Sequence, residues 1–262
     1  MLNLMNFEWK KTWKVYVLGI VSVLLVYAYL VLQGTDNLYR GELGAGIATT
    51  LLVLLITVGS FFLLFHSISL LSVDVKEKGY LLFSTPNSAW KILGAKLAVV
   101  FLRFFIWGFM VAGIFFHMMS SLKIEELQGV LLHNVPQIIV LILISALASL
   151  LFTMTIYFLI SITATVLASW RHPVLFVILA YFGLTYVVDW VAVKLGDLVN
   201  LPVTFQWNVP MINEMNGFSI TGAINYSAQG AVFNIVPLLF YLIIGVGYFM
   251  AAGYLLDRKL NI

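Results

Sequence analysis

Residues 73–96 read VDVKEKGYLLFSTPNSAWKILGAK, and the reading of this stretch decides that of the chain on either side. It lies between two long apolar runs. Asp74, Lys76, Glu77 and Lys78 are charges that hydrocarbon does not accept. Tyr80, Phe83 and Trp90 suit an interface, with ring bodies in the apolar layer and polar edges outward. Ser84-Thr85-Pro86 has the form of a helix start, a hydroxyl cap followed by a proline whose missing N–H costs nothing there. The stretch is therefore expected at a membrane face, where a partner outside the membrane can press on it.

The flanking composition requires that membrane. The chain has 262 residues, 62% hydrophobic and 10% charged, with mean hydropathy +1.05. A soluble domain averages about 45–50% apolar and about 25% charged. The excess falls into runs long enough to cross a bilayer, at 15–32, 45–71, 92–118, 137–168, 174–193 and 230–256. The expected fold is an all-α membrane protein of six transmembrane helices, with residues 1–262 forming one transmembrane domain. The fourth run is longer than one span requires, so it tilts or emerges, and Ser169-Trp170-Arg171-His172-Pro173 then breaks it. The first apolar run is too long for a signal-peptide core, and LQGTDN after it offers no cleavage site. With no cysteine, disulfides and thiolate metal sites are excluded.

Charge placement sets the expected orientation. Lys10, Lys11, Lys14, Lys76, Lys78, Lys91, Lys96, Arg171, Arg258 and Lys259 fall on one side of a six-span layout, and only Arg40, Lys123 and Lys194 on the other. The bias puts both termini and the 73–91 segment in the cytoplasm of a cell (plasma) membrane protein. Residues 4–14 carry Met5, Trp9 and Trp13 at four-residue spacing with lysines at the flank, the pattern of an amphipathic helix lying in the interface. The outer segment 194–229 is long but bears only Lys194, Asp197 and Glu214, and Phe205, Trp207, Phe218 and Tyr226, with Trp190 just before it, give it apolar character. It is expected to fold back as short helices. It either seals the bundle or covers the exit of a pathway, with Phe205 and Trp207 as the gate candidates.

Few residues could carry chemistry. There is no GxxxxGK[ST] loop and no HExxH, and His66, His117, His133 and His172 are far apart. No catalytic site and no metal site are expected, and no carboxylates are paired inside a span, as a proton-coupled carrier would prefer. The one charge at depth is Arg103, about eleven residues into the third span and roughly 16 Å from its start. It either snorkels and pairs with carbonyls within the bundle, or lines a translocation path or subunit interface. Trp107, one turn on, could stack on it in either case. Asp189 lies near the outer end of its span, too far out to be the partner of Arg103.

The stretch from Lys78 to Lys96, with its Thr85-Pro86 pair and its Ile92-Leu-Gly-Ala-Lys96 entry into the third span, resembles the permease subunits of type-2 ABC exporters. Phe7-Glu8-Trp9-Lys10-Lys11 resembles that family's N-terminal amphipathic elbow helix, and Tyr254–Leu260 its usual ending. The resemblance implies that residues 73–91 form a coupling helix docking on a separate ATPase subunit, which would bind ATP and Mg while this chain binds no cofactor. Asp74, Lys76, Glu77 and Lys78 would make the ionic contacts, and Tyr80, Leu81, Leu82 and Phe83 would fill a pocket. It also implies a second permease copy, identical or related, and no nucleic-acid partner. Spans rich in Phe, Leu and Ile suit an apolar or amphipathic cargo such as a membrane-active peptide, a lipid or a drug. An ATP-independent carrier or channel, and a non-transporting sensor subunit, stand as the alternatives.

Overall fold

Among the described residues, three prolines (Pro136, Pro173 and Pro237) fall inside helices, each in a first turn, where no intrahelical N–H bond is lost. The apolar runs between prolines can therefore wind without interruption. The computed structural model describes residues 2–34, 42–76, 88–121, 135–166, 173–199, 201–206, 218–220, 224–227 and 230–260. Its helices are α1 (Leu2–Gly34), α2 (Glu42–Lys76), α3 (Ala89–Ser121), α4 (Val135–Thr165), α5 (Pro173–Leu198) and α6 (Ile235–Leu260). Among the described residues, α1, α3, α4, α5 and α6 contain segments long and apolar enough to cross a membrane, and α2 contributes a shorter apolar section, Ile56–Ser69. Large apolar side chains such as Leu18, Leu25, Phe65, Phe182 and Ile243 are exposed around the outside. In water that surface would aggregate; in lipid it is at home. The chain is a multi-pass α-helical membrane protein.

Side-chain contacts fix the helix directions. Tyr16 of α1 donates to the Arg103 carbonyl of α3 at 3.2 Å, and Tyr27 of α1 hydrogen-bonds His117 of α3 at 2.7 Å, so α1 and α3 run parallel. Tyr157 of α4 donates to the Ser67 carbonyl of α2 at 2.8 Å. Trp107 of α3 packs on Gly59 of α2, while Leu71 of α2 joins Ala89 and Leu93 in one core, so α2 is antiparallel to α3. Asp257 near the end of α6 meets the start of α3, and Tyr241 near the start of α6 meets Asp189 late in α5. The start of α1, the end of α2, the start of α3 and the end of α6 thus share one end of the bundle.

α3 and α4 are the central pair. α3 touches α1, α2, α4 and α6, and α4 touches α2, α3, α5 and α6. Two apolar cores result. One joins α1, α2 and α3 through Tyr16, Val23, Leu63, Val100, Phe104 and Trp107. The other joins α2, α3, α4 and α6 through Leu71, Leu93, Ile156, Tyr157, Ala252 and Leu256. At the shared end Gly253 of α6 faces Trp90 of α3; a Cβ there would lie 2.6 Å from the indole.

Three expectations are corrected. Residues 4–14 are not a separate elbow helix. They continue into the first span as one helix of 33 residues, about 50 Å long at 1.5 Å per residue. Nothing between Leu2 and Leu18 is glycine or proline, and the stripe Glu8–Thr12–Tyr16 is buried against α3 rather than laid on an interface. The described residues between α5 and the last span form strands rather than short helices: β1 (Pro202–Gln206), β2 (Phe218–Ile220), β3 (Ile224–Ser227) and β4 (Gly230–Asn234). They form an antiparallel sheet in the order β1-β4-β3-β2, with Phe205 opposite Ala231. Alternation in Val203-Thr-Phe205, Phe218-Ser-Ile220 and Ile224-Asn-Tyr226-Ser is the period-two signal that aromatic content alone conceals. The last helix accordingly begins at Ile235, not at Gly230. Asn234 caps it, accepting from Val236 N–H at 3.1 Å while donating to the Gly196 carbonyl of α5 at 3.1 Å.

The Gly253–Trp90 contact leaves no room for a branch. Gly253→Leu should therefore destabilise the protein by about 1–3 kcal/mol through overpacking. Gly247→Leu, at a position with open space, should not. Thermal unfolding of the two variants in nanodiscs checks this.

Candidate functional site

Charged side chains inside a lipid-embedded bundle survive only with internal partners. α1 and α3 bring three together. Lys96 Nζ donates to Glu8 Oε1 at 2.8 Å, and Lys96 and Arg103 are 0% and Glu8 2% exposed. Arg103 Nη2 donates to Thr12 Oγ1, whose own hydroxyl donates to the Glu8 carbonyl at 2.7 Å. The guanidinium carbon lies 5.6 Å from the Trp9 ring centre and 5.4 Å from that of Tyr16. Among the described residues, Arg103 Nε and Nη1 have no hydrogen-bond partner, and these two ring faces supply the compensating electrostatics. One carboxylate thus pairs with one of the two cations, and the charge of the other is spread over a planar guanidinium against aromatic faces.

The sequence spacing builds this seam. Glu8, Thr12 and Tyr16 are four apart and share one face of α1; Lys96 and Arg103 are seven apart and share one face of α3. Because the helices run parallel, the two faces meet in register. Lys96, counted by sequence with the charges of the cytoplasmic side, is a buried member of this seam. Arg103 is buried as well. It is paired inside the bundle, to a threonine hydroxyl and two rings rather than to carbonyls. Trp107 does not stack on Arg103 among these contacts. Its Nε1 donates to Ser60 Oγ at 3.1 Å, and its ring covers Gly59, so it fastens α3 to α2.

A second polar joint closes the same end. Asp257 Oδ1 accepts the Ala89 N–H at 2.8 Å, satisfying an open donor in the first turn of α3 and placing a carboxylate at its positive pole. Trp90, expected at an interface, is half-buried and meets Phe249 edge-on at 5.6 Å. The start of α3 is thereby fixed to α6 at Ala89 and Trp90, and to α1 two turns later at Lys96. Glu8, Thr12, Tyr16 and Asp257 are the residues that sequence reading passed over. The four-residue repeat on α1 was the available signal; the Asp257 contact spans 168 positions and had none.

The other candidates lie outside this cluster. Asp74 and Lys76 belong to the last turns of α2. Glu77, Lys78, Tyr80, Leu81, Leu82 and Phe83 lie outside the described residues, as do Ser84-Thr85-Pro86 and Trp207. Phe205 is in β1, at the end of the bundle away from the charged seam. Asp189 accepts a hydrogen bond from Tyr241 at 2.8 Å, far from Arg103 in the fold. Among the described residues, no three His, Asp or Glu side chains are placed to hold a metal ion.

No protein family, no curated protein and no solved structure matches the chain.

Removing one member of a buried ion pair strands the other. Lys96→Met should destabilise the protein by about 3–5 kcal/mol, and the double variant Glu8→Leu/Lys96→Met should recover most of that loss. Thermal unfolding of wild type, both single variants and the double variant in nanodiscs completes the cycle.

Proposed function

We propose that the chain is the membrane-spanning permease subunit of an ATP-driven exporter. A separate ATPase subunit would press on the segment between α2 and α3, and a second permease copy would complete the pathway. The observation that carries the reading is the double fastening at the start of α3, immediately after that segment. Ala89 is held by Asp257 of α6, Trp90 packs on Gly253, and Lys96 is paired with Glu8 of α1. A force applied near residue 88 would therefore move α3, α1 and the end of α6 together rather than bend one helix. That is what a coupling lever requires.

The chemistry of the proposed lever follows from its residues. Asp74, Lys76, Glu77 and Lys78 would meet opposite charges on the ATPase, and Tyr80, Leu81, Leu82 and Phe83 would enter an apolar pocket. Orientation rests on the excess of lysine and arginine at the end that carries this segment and both helix termini, which is the cytoplasmic end in this reading. An apolar or amphipathic cargo is favoured by the state of the hydroxyls in α4. Ser145, Ser149, Thr153, Thr155, Ser161, Thr163 and Thr165 all bond back to carbonyls of their own helix, which leaves no hydrophilic track along it.

The double variant Leu82→Glu/Phe83→Glu should insert and unfold like wild type. It should lose co-purification with the ATPase and at least tenfold of ATP-dependent efflux in vesicles. Undiminished efflux would remove the coupling role, and efflux by the isolated chain without an ATPase would remove the exporter reading altogether.

A further inference from the structure

A groove of about 460 Å³ opens between α4, α5 and α6, in the half of the bundle nearer the sheet. Its volume is that of a site for a drug-sized molecule. Five of its wall residues are aromatic: Phe152, Tyr181, Phe182, Tyr241 and Tyr248. The one charged wall residue is Asp189. Its Oδ1 accepts from Tyr241 at 2.8 Å. Among the described residues, no lysine, arginine or histidine pairs with it. Asp189 sits nine residues before the end of α5, within the segment Leu175–Leu198 that is apolar enough to cross a membrane.

A half-buried carboxylate within an apolar helix is costly without a counter-charge, and the seam of α1 and α3 shows how this chain answers a charge when it supplies both partners. Here the described residues supply one. Tyr181 is held edge-on against Phe152 at 5.2 Å and Phe182 at 5.7 Å, and Tyr248 stacks on Phe158 at 5.0 Å, so the rings keep fixed orientations. Gly245 lets α6 approach Leu151 of α4 at the floor. Fixed aromatic faces around a single carboxylate are complementary to a diffuse positive charge on an apolar body.

We propose that this groove binds an amphipathic organic monocation, with its positive centre at Asp189 and its apolar groups against Phe152, Tyr181, Phe182 and Tyr248. As a binding site it stands on the groove alone. As the cargo site of an exporter it rests on the function proposed above, and it narrows the cargo to lipophilic cations. Tyr241 is a positioning residue: its hydroxyl holds one carboxylate oxygen and orients the other.

The test is equilibrium binding of radiolabelled tetraphenylphosphonium to the full-length protein in phosphatidylglycerol nanodiscs, with empty discs subtracted. Saturable binding is expected, weakened at least tenfold by Asp189→Asn and unchanged by Asp197→Asn on the same helix. Tyr248→Leu, which keeps an apolar wall but removes a ring face, should weaken it several-fold; it serves as the second readout if Asp189→Asn lowers the unfolding temperature. Tetraphenylborate, the anion of like shape, should show no saturable binding that depends on Asp189. Equal binding by wild type and Asp189→Asn overturns the proposal. So does loss of tetraphenylphosphonium binding when phosphatidylcholine replaces phosphatidylglycerol, since the groove would then belong to a lipid headgroup. Asp189-dependent binding without ATPase-driven efflux of the same cation would leave the binding site standing and overturn its role as the exporter's cargo site.

Discussion

The contact between Lys96 and Glu8 governs the arrangement of the bundle. Each group alone inside a low-dielectric interior would cost several kcal/mol of lost hydration. Paired at 2.8 Å, with Thr12 relaying to Arg103 nearby, they are tolerated at one place and in one register. A slip of α1 by one turn relative to α3 would bury a carboxylate and two cations apart from each other. The pair therefore acts less as a source of net stability than as a device that excludes other alignments, and it explains why the N-terminal residues belong to the bundle.

Between helices in lipid there is no hydrophobic drive to associate, so close packing and polar contacts must do that work. The chain uses small residues under large ones. Gly59 lies under Trp107, Gly253 under Trp90, and Gly108 is so close to Ile142 that a Cβ would stand 2.6 Å from its Cγ2. Tyrosine hydroxyls reach across to carbonyls, as Tyr16 and Tyr157 do. The outcome is uneven. α1, α2 and α3 are knit by the charged seam and by Trp107. α5 has far fewer buried side chains, and the aromatic groove opens along it. A lever that moves α3 would carry its well-fastened neighbours with it and leave α5 as the looser wall.

Much of the architecture was legible along the chain. The apolar runs located the helices, since hydrocarbon admits only segments that satisfy their own backbone. Pro173 after Arg171-His172 marked the start of α5, and the third span was placed within three residues of α3 at either end. Misreadings occurred where two patterns coexist in one segment. Residues 4–16 carry both an interfacial apolar repeat, Met5-Trp9-Trp13, and a polar repeat, Glu8-Thr12-Tyr16, and the second is the one that is buried. In 194–229 aromatic richness suggested helices, while short alternations specified strands.

Composition and periodicity by themselves determined that this chain crosses a membrane repeatedly, because solvation depends on residue type and run length alone. They also exposed Arg103 as the one charge too deep to be ignored. Only the tertiary structure decided what answers that charge, because Thr12, Trp9 and Tyr16 reach it from roughly ninety positions away through the parallel pairing of α1 and α3. The same holds for Asp257 at the start of α3 and Tyr241 on Asp189. Partner choice at a distance is set by helix direction and register, and those emerge only when the helices pack.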